Sequence, residues 1–530
     1  MAKIVDPKIQ VVGFGPNLEL PNGETITPDE FVFAAANITY RDMNAFNEFI
    51  AMRENDKDLS KKVRNTLIKV AGAGHASMAT TPGFWMVMGG NSSKMVDSVF
   101  TTARFSSSLM PSGRRVPIER DQILIPKSIQ AAGPEAVKTF METSEANIDA
   151  YEALQERGVH KQVASKIVQY GHKGGGFAFM PLETAIHFAR QIQRSPESFP
   201  GEAGEIIGQI EDFIRDGSGM ETTYFARMNA PRTGCVNPNI FHHNSTTAQE
   251  LLDAGRIAAD FPSPLYIQSL PSEDRDGRIE DWLKRRSAMT SHPERIAGEW
   301  QHLLGELEEI VENHNDSVAA QFGLMTSWRV WGELKRHRTM PQTTESVYSA
   351  VERARGIMRG GEEFLTEEMS EENADFFKYG VEIPKSVKKD PANLGLWLER
   401  FNDSIKAYEH LTEMGIPEGD AITVIPRGLK LASVHSFDLF NMTTGYGSLR
   451  TCKTAEPEMR SNTEKEMALL ANSSNVPESV KGLFGPKCAS VGFCPETKYC
   501  SRVFPFVKGY DQELHETLTV ARGKTIVDLL

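Results

Sequence analysis

Residues 333–348 read E-L-K-R-H-R-T-M-P-Q-T-T-E-S-V-Y. Arg336, His337 and Arg338 stand side by side, and Ser346 follows after a gap of seven residues. The preceding residues, 321–334, read Q-F-G-L-M-T-S-W-R-V-W-G-E-L and are apolar enough to be buried. An uncompensated charge taken out of water is costly, so a buried segment ending in Arg-His-Arg predicts an anionic partner. A solvated basic turn at a helix end has the same composition, so the rest of the chain must decide.

Working outward, the chain repeats itself. Residues 150–159 read A-Y-E-A-L-Q-E-R-G-V and residues 407–416 read A-Y-E-H-L-T-E-M-G-I. Each has the apolar spacing of a short helix closed by a glycine, Gly158 or Gly415. Residues 104–115, R-F-S-S-S-L-M-P-S-G-R-R, pair with residues 338–349, R-T-M-P-Q-T-T-E-S-V-Y-S. Arg104 leads to Ser112 with the same spacing as Arg338 to Ser346. Two tandem copies of one module are expected, over 1–225 and 226–530.

At 530 residues the chain exceeds one ordinary core. Its 40% hydrophobic and 24% charged residues are those of a globular protein. A formal net charge of −13 argues against a nucleic-acid polymer as partner, though an arginine cluster can still bind one nucleotide. The first residues, M-A-K-I-V-D-P-K, hold no apolar signal region, and no apolar run is long enough to span a membrane. With five cysteines in the chain, a reducing cytoplasm is the expectation.

Arg-His-Arg, seven residues and Ser resembles the signature of the flavin-dependent thymidylate synthases. The resemblance implies an α+β fold, here as two copies of that module, each a mixed sheet with helices. It implies reductive methylation of dUMP at C5 to dTMP, with FAD as cofactor and methylenetetrahydrofolate and NADPH as co-substrates. Arg336, His337 and Arg338 would hold FAD, and Ser346 would meet the nucleotide phosphate. Arginine suits this work because it stays protonated and forks to carbonyl or phosphate oxygens. Thr344 and Tyr348 stand where the family has Glu and Arg.

Further segments extend the resemblance. L-R-T-C-K-T-A-E-P-E-M-R, residues 449–460, matches the family's L-R-x4-A-Q-x-E-I-R at Leu449, Arg450, Ala455, Glu458 and Arg460, with Glu456 in place of Gln. This makes Arg450 the expected catalytic arginine, with Arg338, and a dUMP contact. Gly74-His75-Ala76-Ser77 resembles the family's G-H-x-S/T segment, so His75 and Ser77 either contact FAD or cap a helix. Ser317, after His314, stands at the same place in copy two and is a further FAD candidate. Copy one has Thr102-Ala103 where copy two has Arg336-His337, yet keeps Ser112-Gly113-Arg114, the family's nucleotide-contacting Ser-x-Arg. Each copy retains what the other lacks. A homodimer acting as a pseudo-tetramer of modules follows, with about two flavin sites.

Three motifs lie outside the resemblance. The G-H-K-G-G-G of residues 171–176 lacks P-loop and Rossmann spacing and reads as a flexible loop. Cys235, His242 and His243 read as ordinary loop residues. In the tail, Cys488, Cys494 and Cys500 recur every six residues. With Cys452 they either hold a zinc ion or an iron–sulfur cluster, or are buried free thiols. No cysteine lies in a motif of the nucleophilic thymidylate synthases. Two alternatives remain open: a flavin enzyme methylating or hydroxymethylating another pyrimidine nucleotide such as UMP, and a non-catalytic flavin- or nucleotide-binding protein.

Overall fold

The computed structural model describes residues 3–38, 44–111, 118–234, 236–366 and 369–529. The fold is α+β. Each copy contributes a four-stranded antiparallel sheet. In copy one the strands are β1 (Asp6–Gly15), β2 (Gly83–Asn91), β3 (Ser107–Leu109) and β4 (Gly176–Pro181), in the order β1-β2-β4-β3. In copy two they are β5 (Ser263–Ser269), β6 (Val318–Ser327), β7 (Gln342–Thr344) and β8 (Lys430–Phe437), in the order β5-β6-β8-β7. The two orders are the same. Both sheets slip register between first and second strand, at Val11/Gly13 in one and against Gln321/Phe322 in the other. The repeat seen in short sequence matches is thus a repeat of topology.

Copy one's β1 holds I-Q-V-V-G-F, residues 9–14, which reads as a strand, and a helix over Pro28–Ile38 takes in residues 31–38 of F-V-F-A-A-A-N-I-T-Y, which reads as a helix. Two strands stand where the sequence pattern reads as helical, β4 within 160–215 and β5 within 247–312. Both are short and flanked by strong helical patterns, which mask a period of two.

The A-Y-E segments end two 23-residue helices, α1 (Pro134–Glu156) and α4 (Pro391–Glu413). Gly158 and Gly415 adopt φ of 83° and 81°, which a side chain rarely tolerates. The next residue folds back in each case: Val159 N donates to Leu154 O at 2.9 Å and Ile416 N to Leu411 O at 3.2 Å. The G-H-K-G-G-G segment is not a flexible loop. A Cβ on Gly174 would lie 2.5 Å from the Lys94 Cα, and one on Gly175 would lie 2.3 Å from the Met88 carbonyl oxygen. These glycines let one backbone press on another as the chain enters β4.

The compact units do not follow the two copies. One unit comprises Met1–His243 with Ser346–Leu429; the other comprises Asn244–Glu345 with Lys430–Leu530. A contiguous division at 225/226 separates copies, not folded bodies. The cause is that α1 and α4 pack on each other within the first unit. Asn147 Nδ2 donates to Ser404 Oγ at 3.0 Å, both buried. Behind them Gly171 N donates to Thr423 O at 3.0 Å and Gly428 N to Lys166 O at 2.7 Å. Ser404 lies 257 residues after Asn147, the offset between the two A-Y-E segments, and under the same offset Gly428 and Thr423 are the counterparts of Gly171 and Lys166, so the other two bonds exchange with each other. The contact is reciprocal, as across a two-fold axis.

The second unit buries both faces of its sheet. One face packs Val318, Ala320 and Phe322 against Ile279, Trp282 and Leu307. The other packs Met325, Ala432 and Val434 against Ala248, Ile257 and Ala259. Burial on both faces explains why β6 reads as a near-continuous apolar run. No helix of the described residues is long and apolar enough to cross a membrane.

Candidate functional site

The site grows from the end of β6. Ser327 stops the strand and caps helix α2 (Trp328–Leu334), its Oγ accepting from Val330 N at 3.2 Å. Glu458 pins this corner, accepting from Ser327 N at 2.7 Å and Ser327 Oγ at 2.6 Å. The motif residue Glu458 therefore acts on backbone geometry. Past α2, residues 335–340 turn tightly: His337 N donates to Leu334 O and Met340 N to His337 O. The turn returns the chain to β7, where Thr344 Oγ1 accepts from Trp331 Nε1 at 3.1 Å. Thr344, in the place of the family's Glu, is thus occupied in holding α2 to the sheet.

Arg450 ends helix α5 (Tyr446–Arg450) and reaches this turn. Its Nε donates to His337 Nε2 at 2.7 Å, and its Nη1 lies 3.5 Å from Glu333 Oε2. Arg329 Nη2 takes the other Glu333 oxygen at 3.0 Å. A ring nitrogen that accepts from a guanidinium belongs to a neutral imidazole. Burial pushes the His337 pKa down to about 3, with the Arg450 and His435 charges adding to the effect. Burial, then neighbouring Arg336, lowers the Arg338 pKa. Arg336, His337, Arg338 and Arg450 are all half-buried. Together they form a donor-rich, cation-rich surface of the kind that takes carbonyl and phosphate oxygens.

Beneath the turn, the Tyr446 ring meets the His337 edge at a centroid distance of 4.9 Å and 84°. Its hydroxyl accepts from Thr463 Oγ1 at 3.0 Å. Beside it, Asn441 Nδ2 donates to Thr339 O at 3.2 Å and Asn441 Oδ1 accepts from Thr339 Oγ1 at 3.1 Å. Asn441 lies outside both sequence motifs. Its one local signal is Asp438 three residues earlier, whose carboxylate caps Asn441 N at 2.8 Å. Glu456, in the place of the family's Gln, caps helix α6 (Pro457–Asn472) through Met459 N at 2.9 Å.

The other candidate residues each have their own setting. Ser346 belongs to the first compact unit and is buried. Its hydroxyl donates to His242 O and accepts from Tyr348 N, capping helix α3 (Val347–Gly360). Ser317 is buried, donating to His314 O at 2.7 Å and accepting from Arg275 Nη1 at 2.9 Å. His75 and Ser77 are exposed on the first unit. Ser112, Arg114 and Cys235 lie outside the described residues.

The four tail cysteines are free thiols, with Cys452, Cys488 and Cys494 buried. Among the described residues no group of three or more His, Cys, Asp or Glu side chains is placed to hold a metal ion. Burial, with Cys494, Cys452 and Cys500 adding, pushes the Cys488 thiol up to about 12, which keeps it protonated. Cys488 and Cys494 fill the apolar core of the second unit.

The family model described as thymidylate synthase complementing protein matches residues 23–195 and 294–473, about two thirds of the chain. A flavin-dependent thymidylate synthase of Thermococcus onnurineus is 29% identical over 115 residues, which is 22% of this chain and 46% of that protein. A flavin-dependent thymidylate synthase of Pyrococcus abyssi is 30% identical over 115 residues, 22% of this chain and 47% of that protein. The chain spans about half the length of the curated relatives it matches. Among solved structures, a UMP/dUMP methylase from Streptomyces cacaoi aligns at 14% identity with a TM-score of 0.32, covering 45% of this chain and all of that one. With the family model matched once in each copy, this chain belongs, in duplicate, to the thymidylate synthase complementing protein family.

Proposed function

We propose that the protein catalyses flavin-dependent reductive methylation of dUMP at C5 to give dTMP in the cytoplasm, with methylenetetrahydrofolate and NADPH as co-substrates. The observation that carries this reading is the 2.7 Å bond from Arg450 to His337. It joins two motifs 113 residues apart, each assigned to the same chemistry by resemblance. The named relatives, flavin-dependent thymidylate synthases, support it.

The residues present suit FAD: Arg336, His337 and Arg338 offer a half-buried donor set for the electron-rich edge of a flavin or its phosphates. Bound FAD would supply the redox chemistry, and the chain binds, orients and excludes water. Arg450 is held by His337 on one side and Glu333 on the other, so its guanidinium is preoriented. His337 stays neutral and accepts, so it does not add a competing cation. His75 and Ser77 are proposed as further FAD contacts, and Ser112 and Arg114 as nucleotide contacts. Since those last two belong to copy one, we propose a homodimer of chains whose sites draw on both copies. The reading is tested by incubating the purified protein with NADPH, methylenetetrahydrofolate and either dUMP or UMP, with products read by mass spectrometry. dUMP-dependent NADPH oxidation with dTMP formation is expected; no methylated product from dUMP would overturn it.

A further inference from the structure

Under the site lies a pair of titratable groups with no assigned work. His435 is on β8 and Glu466 is on α6; both side chains are fully buried. His435 Nδ1 lies 3.5 Å from Glu466 Oε1. Neither ring nitrogen and neither carboxylate oxygen makes a hydrogen bond of ordinary geometry among the described residues. Burial pushes the Glu466 pKa up, and the His435 partner opposes that shift. Replacing a buried pair like this by well-packed apolar residues is often neutral or stabilising. Packing alone therefore gives no reason for it.

Its neighbours supply one. Thr463, one turn before Glu466 on α6, donates to the Tyr446 hydroxyl. The Tyr446 ring centroid is 6.4 Å from that of His435 and 4.9 Å from that of His337. Tyr446 is thus the wedge between the buried pair and the histidine that receives Arg450. We propose that His435 and Glu466 are positioning residues: they hold Tyr446 against His337 and so fix the Nε2 lone pair of His337 on Arg450. This rests on the proposed role of Arg450. It goes beyond it by assigning a function to two residues outside both motifs.

The test uses the full chain with His435→Leu/Glu466→Leu, and Glu466→Gln as a second variant. The double variant is expected to melt no lower than wild type and to retain FAD. Its kcat/KM for dUMP is expected to fall at least ten-fold (about 1.4 kcal/mol). The 15N signal of His337 Nε2, assigned by its loss in His337→Gln, is expected to leave the acceptor position. Glu466→Gln, which keeps the shape, should move the same signal in the same direction by less. An unchanged His337 signal in either folded variant, or kcat/KM within two-fold of wild type, overturns the proposal. So does a double variant that fails to fold while Glu466→Gln leaves the signal in place. The His337 signal is read without ligand, so it decides the positioning claim even if the wild-type protein proves not to use dUMP.

Discussion

At the scale of single residues, the proposed chemistry rests on Arg450 and His337. Removing the guanidinium removes a preoriented donor, an effect of order 10²-fold or more on turnover. Arg450→Ala is therefore expected to lower kcat by at least about 100-fold while flavin absorbance of the purified protein persists. Loss of flavin together with activity would instead place Arg450 in cofactor binding. His337 and Glu202 set opposite pH slopes. His337 titrates at about 3 in the fold against an ordinary 6.5, so between those values the unfolded chain binds more protons. Stability from this group is lost as pH falls through that window. Glu202 is pushed up to about 7 by burial against an ordinary 4.5, although Ser93 N and Oγ both donate to it. Its folded form holds the extra proton, so its stability is present below pH 4.5 and lost as pH rises through 7. Glu202→Gln is expected to raise the melting temperature relative to wild type at pH 8 and to lose that advantage by pH 5. An equal shift at both pH values would show that charge is not the cause. Arg450 and the triplet were each legible as motifs because each matched at spaced positions, and their meeting is seen in the fold. The work of Ser346 was not: a serine that caps a helix and a serine that binds phosphate look alike in sequence.

Among the elements, the repeat was legible, while the stretches of β4 and β5 read as helix. Glycine closure of α1 and α4 could be read from the sequence because a left-handed cap favours one residue type. β4 and β5 were missed because a short strand between helices leaves too few alternations to register. The triple glycine shows the same gap from another side. Composition suggests flexibility, and only the fold reveals that Gly174 and Gly175 lie against the Lys94 and Met88 backbones. Gly175 also sits at φ 90°. Gly175→Ala therefore meets both a backbone clash and an unfavourable dihedral, and a destabilisation of about 2 kcal/mol or more is expected. A thermal melt within 1 °C of wild type would refute the close packing.

For the whole molecule, the sequence shows how the copies are related and the fold shows how they are used. Copies related by descent need not be bodies that fold apart, because packing follows the apolar faces that meet. Here the faces of α1 and α4 meet, and residues 346–429 join the first unit. One chain therefore already contains a two-fold-like contact, and the proposed homodimer would hold four modules. Mixing an Arg338→Ala chain with an Arg114→Ala chain, each inactive alone, is expected to restore part of the activity if sites draw on different chains. Four FAD per dimer would count against the division of labour between copies.

The same architecture predicts what happens when the chain is cut between Asn244 and its predecessor. A fragment of residues 1–243 keeps α1 but loses α3, α4 and the 423–428 segment that takes its hydrogen bonds. Asn147 and Gly171 would lose their partners, and the face of α1 that packs on α4 would be exposed to water. Expressed alone, this fragment is expected to aggregate or to lack a cooperative melt. Co-expressed with residues 244–530, it is expected to form a soluble one-to-one complex, because the second fragment carries α4 and restores the reciprocal contact. Size-exclusion chromatography and circular dichroism read both outcomes. A fragment 1–243 that folds cooperatively alone would mean that the 257-residue symmetry is a surface contact between finished bodies, and the compact unit would have to be redrawn at the copy boundary.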